Sequence, residues 1–182
     1  MNKITLVITI ILVAQIYTGC GSNNHIELWY GEHQKFGYKG NPQNVINILG
    51  SVTNRDSLIV LFFNLNNGVR RELSVGCDLR RLARPGDFNI EIDRKELNPG
   101  INELYIQAEF VSGENVSTTV SIEYKPGIIA QLPYRIDWSK ISNIQDVAEI
   151  VDGYWQLTDD GVRTLEPYYD RVIAIGDTSW KD

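Results

Sequence analysis

Glu91, Asp93 and Glu96 stand at a Glu-x-Asp-x-x-Glu spacing within Glu91-Ile92-Asp93-Arg94-Lys95-Glu96. On an extended strand alternate residues share a face, so Glu91 and Asp93 would point the same way. Two carboxylates about 5–5.5 Å apart can serve as nucleophile and general acid on a glycosidic bond. The neighbours argue against that chemistry. Arg94 and Lys95 precede Glu96, and Asn98-Pro99-Gly100 follows directly, so Glu96 leans out at a turn. The three charges read as the solvated face of an edge hairpin. No phosphate-cradling glycine loop, serine elbow or zinc-protease motif occurs elsewhere, and no catalytic residue is assigned.

The remaining candidates are binding groups. Trp155, Trp180, Tyr168 and Tyr169 are aromatics able to stack on sugar rings, although a Trp such as Trp155 on an alternating strand more often belongs to a core. Arg80-Arg81-Leu82-Ala83-Arg84-Pro85-Gly86 is a basic run flanked by Asp78 and Asp87, which reads as a self-paired loop. His25 and His33 lack companion ligands at metal spacing, and the acidic turns Asp159-Asp160 and Asp177 lack the ligand alternation of a calcium loop. Neither a metal nor a cofactor is expected.

The chain has 182 residues and a formal charge of -6, and loss of residues 1–19 would remove one cation, Lys3, and no anion, taking it to -7. Nucleic acid is therefore not an expected partner. Residues 1–19 themselves run from a basic start through an apolar stretch, Ile4 to Ile16, too short for a bilayer-spanning helix of about 20 residues, to Tyr17-Thr18-Gly19 and then Cys20. That exit resembles the lipobox of bacterial lipoproteins, with Tyr17 standing where an aliphatic residue is usual. The resemblance implies lipidation of Cys20, membrane attachment through the lipid, and a cell-envelope location facing periplasm or exterior. Gly21-Ser22-Asn23-Asn24 opens a polar tether over residues 20–28. With Cys20 acylated, Cys77 has no disulfide partner.

Period-two alternation broken by turn chemistry over residues 29–125 predicts half-buried antiparallel strands and a two-sheet sandwich. Leu58 to Leu65 is a dense apolar strand, Asn66-Asn67-Gly68 a tight hairpin turn, and Phe88, Ile90 and Ile92 face inward on the next alternating strand. Glu96 to Ala108, with its Asn98-Pro99-Gly100 turn, followed by a last alternating strand, resembles the closing half of bacterial immunoglobulin-like domains. Lys125-Pro126-Gly127 and Gln131-Leu132-Pro133 punctuate the chain, and residues 134–182 read as a short meander with Asp-Gly turns. Val151-Asp152-Gly153-Tyr154-Trp155-Gln156-Leu157, Tyr169-Asp170-Arg171 and Gly176 to Asp182 resemble the opening strands of concanavalin A-like lectin/glucanase (LamG-like) jelly rolls. One family of retaining jelly-roll glycosidases carries the Glu-x-Asp-x-x-Glu spacing, but here that spacing falls in the immunoglobulin-like part.

The expected fold is thus all-β, an immunoglobulin-like sandwich followed by an incomplete jelly-roll segment. The resemblances imply a membrane-anchored, non-enzymatic spacer or adhesion module whose partners beyond the membrane are a glycan or a cell-surface protein. The alternative is a truncated remnant of a larger glycan-active, glycoside hydrolase-like protein. Because the jelly-roll segment stops after its opening strands, its own sugar surface is expected to be incomplete, so that the isolated mature chain binds glycans weakly or not at all, and the segment is expected to lean on the sandwich or on another chain.

Overall fold

The computed structural model of the chain describes residues 24–166 and 170–180. The protein is all-β, and short 3-10 turns supply the helical residues among those described. The first eight strands are β1 (Ile26–Leu28), β2 (His33–Phe36), β3 (Val45–Val52), β4 (Leu58–Leu65), β5 (Arg71–Leu73), β6 (Asp87–Asp93), β7 (Gly100–Phe110) and β8 (Asn115–Tyr124). They form two facing sheets, β1-β3-β6 and β2-β8-β7-β4-β5. All pairings are antiparallel except that of β2 with β8. Having β3 beside β6 in one sheet and β4, β7 and β8 adjacent in the other is the partition of an immunoglobulin-like sandwich.

The inner faces follow from the alternation. Ile46, Ile48, Phe88, Ile90 and Ile92 from one sheet meet Leu61, Phe63, Leu104, Ile106, Val120 and Ile122 from the other, all but removed from water. Fully burying each such side chain contributes about 1.5–3 kcal/mol. Gly50 is needed where the sheet is tightest, because a Cβ there would lie 2.3 Å from the Glu27 carbonyl oxygen and 2.6 Å from Cζ of Phe88. The β4–β5 hairpin turns on Asn66 and Asn67, with φ of 51° and 57°, so the left-handed pair sits one residue ahead of the Asn-Gly step. The expected tether is shorter than 20–28, because Ile26–Leu28 pairs with Gly50 to Val52.

Strand β3 is buried on both faces, which alternation alone does not require. Its outer face is covered by the C-terminal part of the chain. That part contains β9 (Glu149–Asp152), β10 (Trp155–Thr158), β11 (Gly161–Thr164) and β12 (Val172–Ala174). The hairpin β10–β11 lies in sequence between β9 and β12, which pair with each other, so the four strands make two two-stranded ribbons. Leu49 of β3 joins Ile144, Ala148 and Ile150 in a second apolar cluster, with Trp29, Tyr30, Trp155 and Ile173 packed on it.

Polar groups pin the same contact. Asn47 Nδ2 donates to Asn89 Oδ1 at 3.1 Å, and Asn89 Nδ2 donates to the Val151 carbonyl at 3.4 Å. Arg94, after β6, forms a buried ion pair with Glu149 of β9 and donates from Nε to the Gln43 carbonyl at 2.8 Å. Burial pushes the Glu149 carboxyl above its ordinary pKa, with the Arg94 charge pulling the other way.

Candidate functional site

The carboxylates of the Glu91-x-Asp93-x-x-Glu96 spacing have local partners. Asp93 ends β6, and its side chain accepts from the Lys95 backbone while Glu96 accepts from the Asp93 backbone, a capping box around the 3-10 turn Arg94–Glu96. Glu96 also pairs with Arg71 at 3.0 Å, and Glu91, exposed, pairs with Arg81 at 2.7 Å. The carboxylates hold a turn and a loop.

Of the stacking candidates, Tyr168 and Tyr169 lie outside the described residues, as does Cys20. Trp155 and Trp180 are in separate surroundings, each with its indole donor committed. Trp155 Nε1 donates to the Asp152 carbonyl at 2.8 Å and its ring belongs to the second apolar cluster. Trp180 Nε1 donates to the Ala130 carbonyl at 2.7 Å, and its ring lies over Gly176 and 5.7 Å from that of Tyr134. Gly176, at φ 103°, leaves the room, since a Cβ there would be 2.2 Å from the indole.

The aromatic surface is built instead from the other end of the chain. Trp29, just after β1, stacks on Tyr154 with ring centroids 5.3 Å apart and planes 12° from parallel. Tyr30 meets Tyr154 edge-on at 6.2 Å. The Tyr30 hydroxyl donates to the Gly153 carbonyl at 2.6 Å and accepts from the Trp155 backbone at 2.9 Å, and burial holds its pKa well above the ordinary phenol value. The ridge therefore joins the sandwich to the C-terminal ribbons.

Trp29 and Tyr154 separate two depressions. One, of about 360 Å³, is also lined by Tyr30, Ile144 and Trp155. The other is a groove of about 720 Å³ that runs past Ser51 and Val52 of β3, the 3-10 turn Arg55–Ser57, Pro85 and two acids, Asp87 and Glu166. The basic loop shapes this end. Its backbone pairs with the flanking acids as the sequence suggests, Arg80 and Leu82 donating to Asp78 and Arg84 donating to Asp87 at 2.7 Å. Its side chains reach further, Arg81 to Glu91 and Asp152, and Arg84 to Glu166.

Beneath the groove lies a buried charge cluster. Arg171 places Nη1 3.2 Å from Asp152 Oδ2 and Nη2 3.7 Å from Glu166 Oε2. Arg84 Nε stands 3.1 Å from Glu166 Oε1. Both Glu166 oxygens are buried and, among the described residues, accept no hydrogen bond, and the buried Nε and Nη2 of Arg171 are likewise without an acceptor. Desolvation lifts the pKa of Asp87 to about 6, with the nearby Glu166 adding to it, and that of Asp152 to about 6 against the pull of Gly153, Arg171 and Arg81.

Sequence reasoning passed over Trp29, Tyr154 and Glu166. The one available signal was the Trp29-Tyr30-Gly31 step, two large aromatics at a strand end before a turn. Among the described residues no group of three or more His, Cys, Asp or Glu is placed to hold a metal ion, and no helix is long and apolar enough to cross a membrane. No protein-family model matches the chain, and no curated protein matches it. Among solved structures, that of the endo-beta-1,4-mannanase from Thermotoga petrophila superposes with a TM-score of 0.42 at 10% identity, over 57% of this chain and 20% of that one. The chain thus spans about a fifth of that enzyme's length.

Proposed function

We propose that the chain is a lipoprotein of the bacterial cell envelope, anchored by lipid on Cys20, whose all-β body is a non-enzymatic spacer and adhesion module that contacts glycan. The observation that carries the contact is the groove beside the Trp29–Tyr154 ridge, in which a flat aromatic face stands next to buried polar groups. Support for a non-enzymatic role comes from Glu91, Asp93 and Glu96, each committed to a cap or an ion pair. The anchor rests on Thr18-Gly19-Cys20 after a short apolar run.

The test is fractionation of cells expressing the chain or Cys20→Ala, with incubation of the purified protein on insoluble polysaccharides. The expected result is membrane recovery of the first, a soluble or uncleaved second, and retention on polysaccharide without release of reducing ends. Steady release of reducing ends, abolished by a single carboxylate substitution, would make the protein an enzyme and end this reading.

A further inference from the structure

Asn24, the first described residue, is fastened to two turns at one end of the sandwich. Its Nδ2 donates to Glu114 Oε2 at 2.6 Å, and its Oδ1 accepts from Asn54 Nδ2 at 2.6 Å. Asn54 opens the Arg55–Ser57 turn between β3 and β4, and Glu114 closes the turn between β7 and β8. The two turns are joined in their own right, since the Val111 backbone donates to the Ser57 carbonyl at 2.9 Å. His25 holds to the same end. Its backbone donates to Thr53 Oγ1 at 2.9 Å, and the Thr53 backbone donates to the His25 carbonyl at 3.1 Å.

Gly21, Ser22 and Asn23 separate Asn24 from Cys20. Those four residue steps reach at most about 14 Å. A diacylglyceryl on the Cys20 sulfur keeps its acyl chains in the hydrocarbon, and the interfacial layer of one leaflet takes up about 5–7 Å. Asn24 then stands no more than about 8 Å clear of the headgroups. Strand β7 runs the length of the sandwich from this end, and at its far end Ile101 lies about 34 Å along the chain from Val111.

We propose that the Arg55–Ser57 turn and the Val111–Glu114 turn form a membrane-facing surface, held against the headgroups of the leaflet that carries the Cys20 lipid. Ile101 and the Asn98-Pro99-Gly100 turn point away from it. This rests on the lipid-anchor reading above and gives the body an orientation on its membrane. Arg55, exposed, is the cation this surface presents to lipid phosphate, and Val111, 73% exposed, is the apolar side chain it presents to the interfacial layer. Exposure does not select this end, since Ile101 is 61% exposed at the other; the short attachment does. A chain of formal charge -6 gains nothing by laying a flank on anionic headgroups, so contact stays at the tethered end.

The experiment reconstitutes the processed, lipid-bearing full chain into vesicles of phosphatidylethanolamine and phosphatidylglycerol that contain a phosphatidylcholine with a nitroxide on its headgroup. Cys77, free and exposed, is removed as Cys77→Ser, and one fluorophore is attached through Val111→Cys or Ile101→Cys. Both positions are exposed, and thermal unfolding checks that each variant stays folded. Quenching several-fold stronger for Val111→Cys than for Ile101→Cys is the expected result. A sandwich lying on its side would bring both positions near the lipid. Equal quenching, or stronger quenching for Ile101→Cys, in protein whose N-terminal peptide carries the lipid would overturn the membrane-facing surface and leave the anchor standing. An N-terminal peptide without lipid would overturn both readings.

Discussion

Replacing Arg94 by Met tests whether the C-terminal ribbons are an integral layer of the fold. The guanidinium is buried between β6 and β9, paired with Glu149, bonded through Nε to the Gln43 carbonyl and placed over the Tyr124 ring with Cζ 5.7 Å from its centroid. Met keeps much of the volume but leaves Glu149, 7% exposed, without its counter-charge. Breaking a buried pair from one side costs about 3–5 kcal/mol. Glu149 can take up a proton, because burial already raises its pKa and Arg94 is the main opposing influence, so the lower end, about 3 kcal/mol, is expected. That is a large share of the roughly 5–15 kcal/mol that holds a domain together. The assay is urea unfolding of Arg94→Met, Glu149→Leu and the double variant, read by tryptophan fluorescence and circular dichroism. The double variant should recover most of the loss, giving a coupling of at least about 1.5 kcal/mol. Single variants costing under about 1 kcal/mol, or strictly additive effects, would refute the claim that this pair fastens β9 to the sandwich.

Gly50→Ala should cost about 1–3 kcal/mol in the same unfolding assay, since its Cβ would press on Phe88 and the Glu27 carbonyl, and amide exchange over Ile26–Leu28 should quicken as β1 loosens. Stability should rise as the pH is lowered from 7.5 to about 5. Asp87 and Asp152 titrate near 6 when folded and near 3.8 as ordinary carboxyls, so folding takes up protons between those values and stability falls as pH rises through them. Melting temperatures flat or falling on acidification to pH 5 would show that these groups are not desolvated. Asp93→Ala should cost about 0.5–1 kcal/mol as a lost cap and leave polysaccharide retention unchanged; a loss of binding at full stability would return Asp93 to the functional site.

Where burial on one face decides a strand, the sequence was enough. Phe88, Ile90 and Ile92 alternate with polar residues because one side of β6 faces the core, and all three are fully buried. The hairpin after β4 was marked by Asn66-Asn67-Gly68 because few residues tolerate φ above zero. Strand β3 was harder. Leu49 fits a core alternation poorly, and its burial becomes intelligible only when Ile150 and Ala148, a hundred residues on, are laid against it. The candidate surface was illegible for the same reason. Trp29, Asp87, Tyr154 and Glu166 come from four separate stretches, and pattern within a window carries nothing about which distant stretches meet. Trp155 and Trp180 were legible as large aromatics, but ring type does not say whether the face is free, and both indoles are committed to nearby carbonyls. In the Glu91-x-Asp93-x-x-Glu96 spacing, Asp93 and Glu96 form a capping box and Glu91 pairs with Arg81, contacts that spacing alone does not reveal.

The anchored location on which the proposed function depends is tested most directly by the mass of the processed N-terminus. Digestion of the membrane-recovered protein and mass spectrometry of its first peptide should show a chain beginning at Cys20 with diacylglyceryl on its sulfur. A peptide that begins at Met1, or a mature soluble chain with an unmodified Cys20, would contradict it.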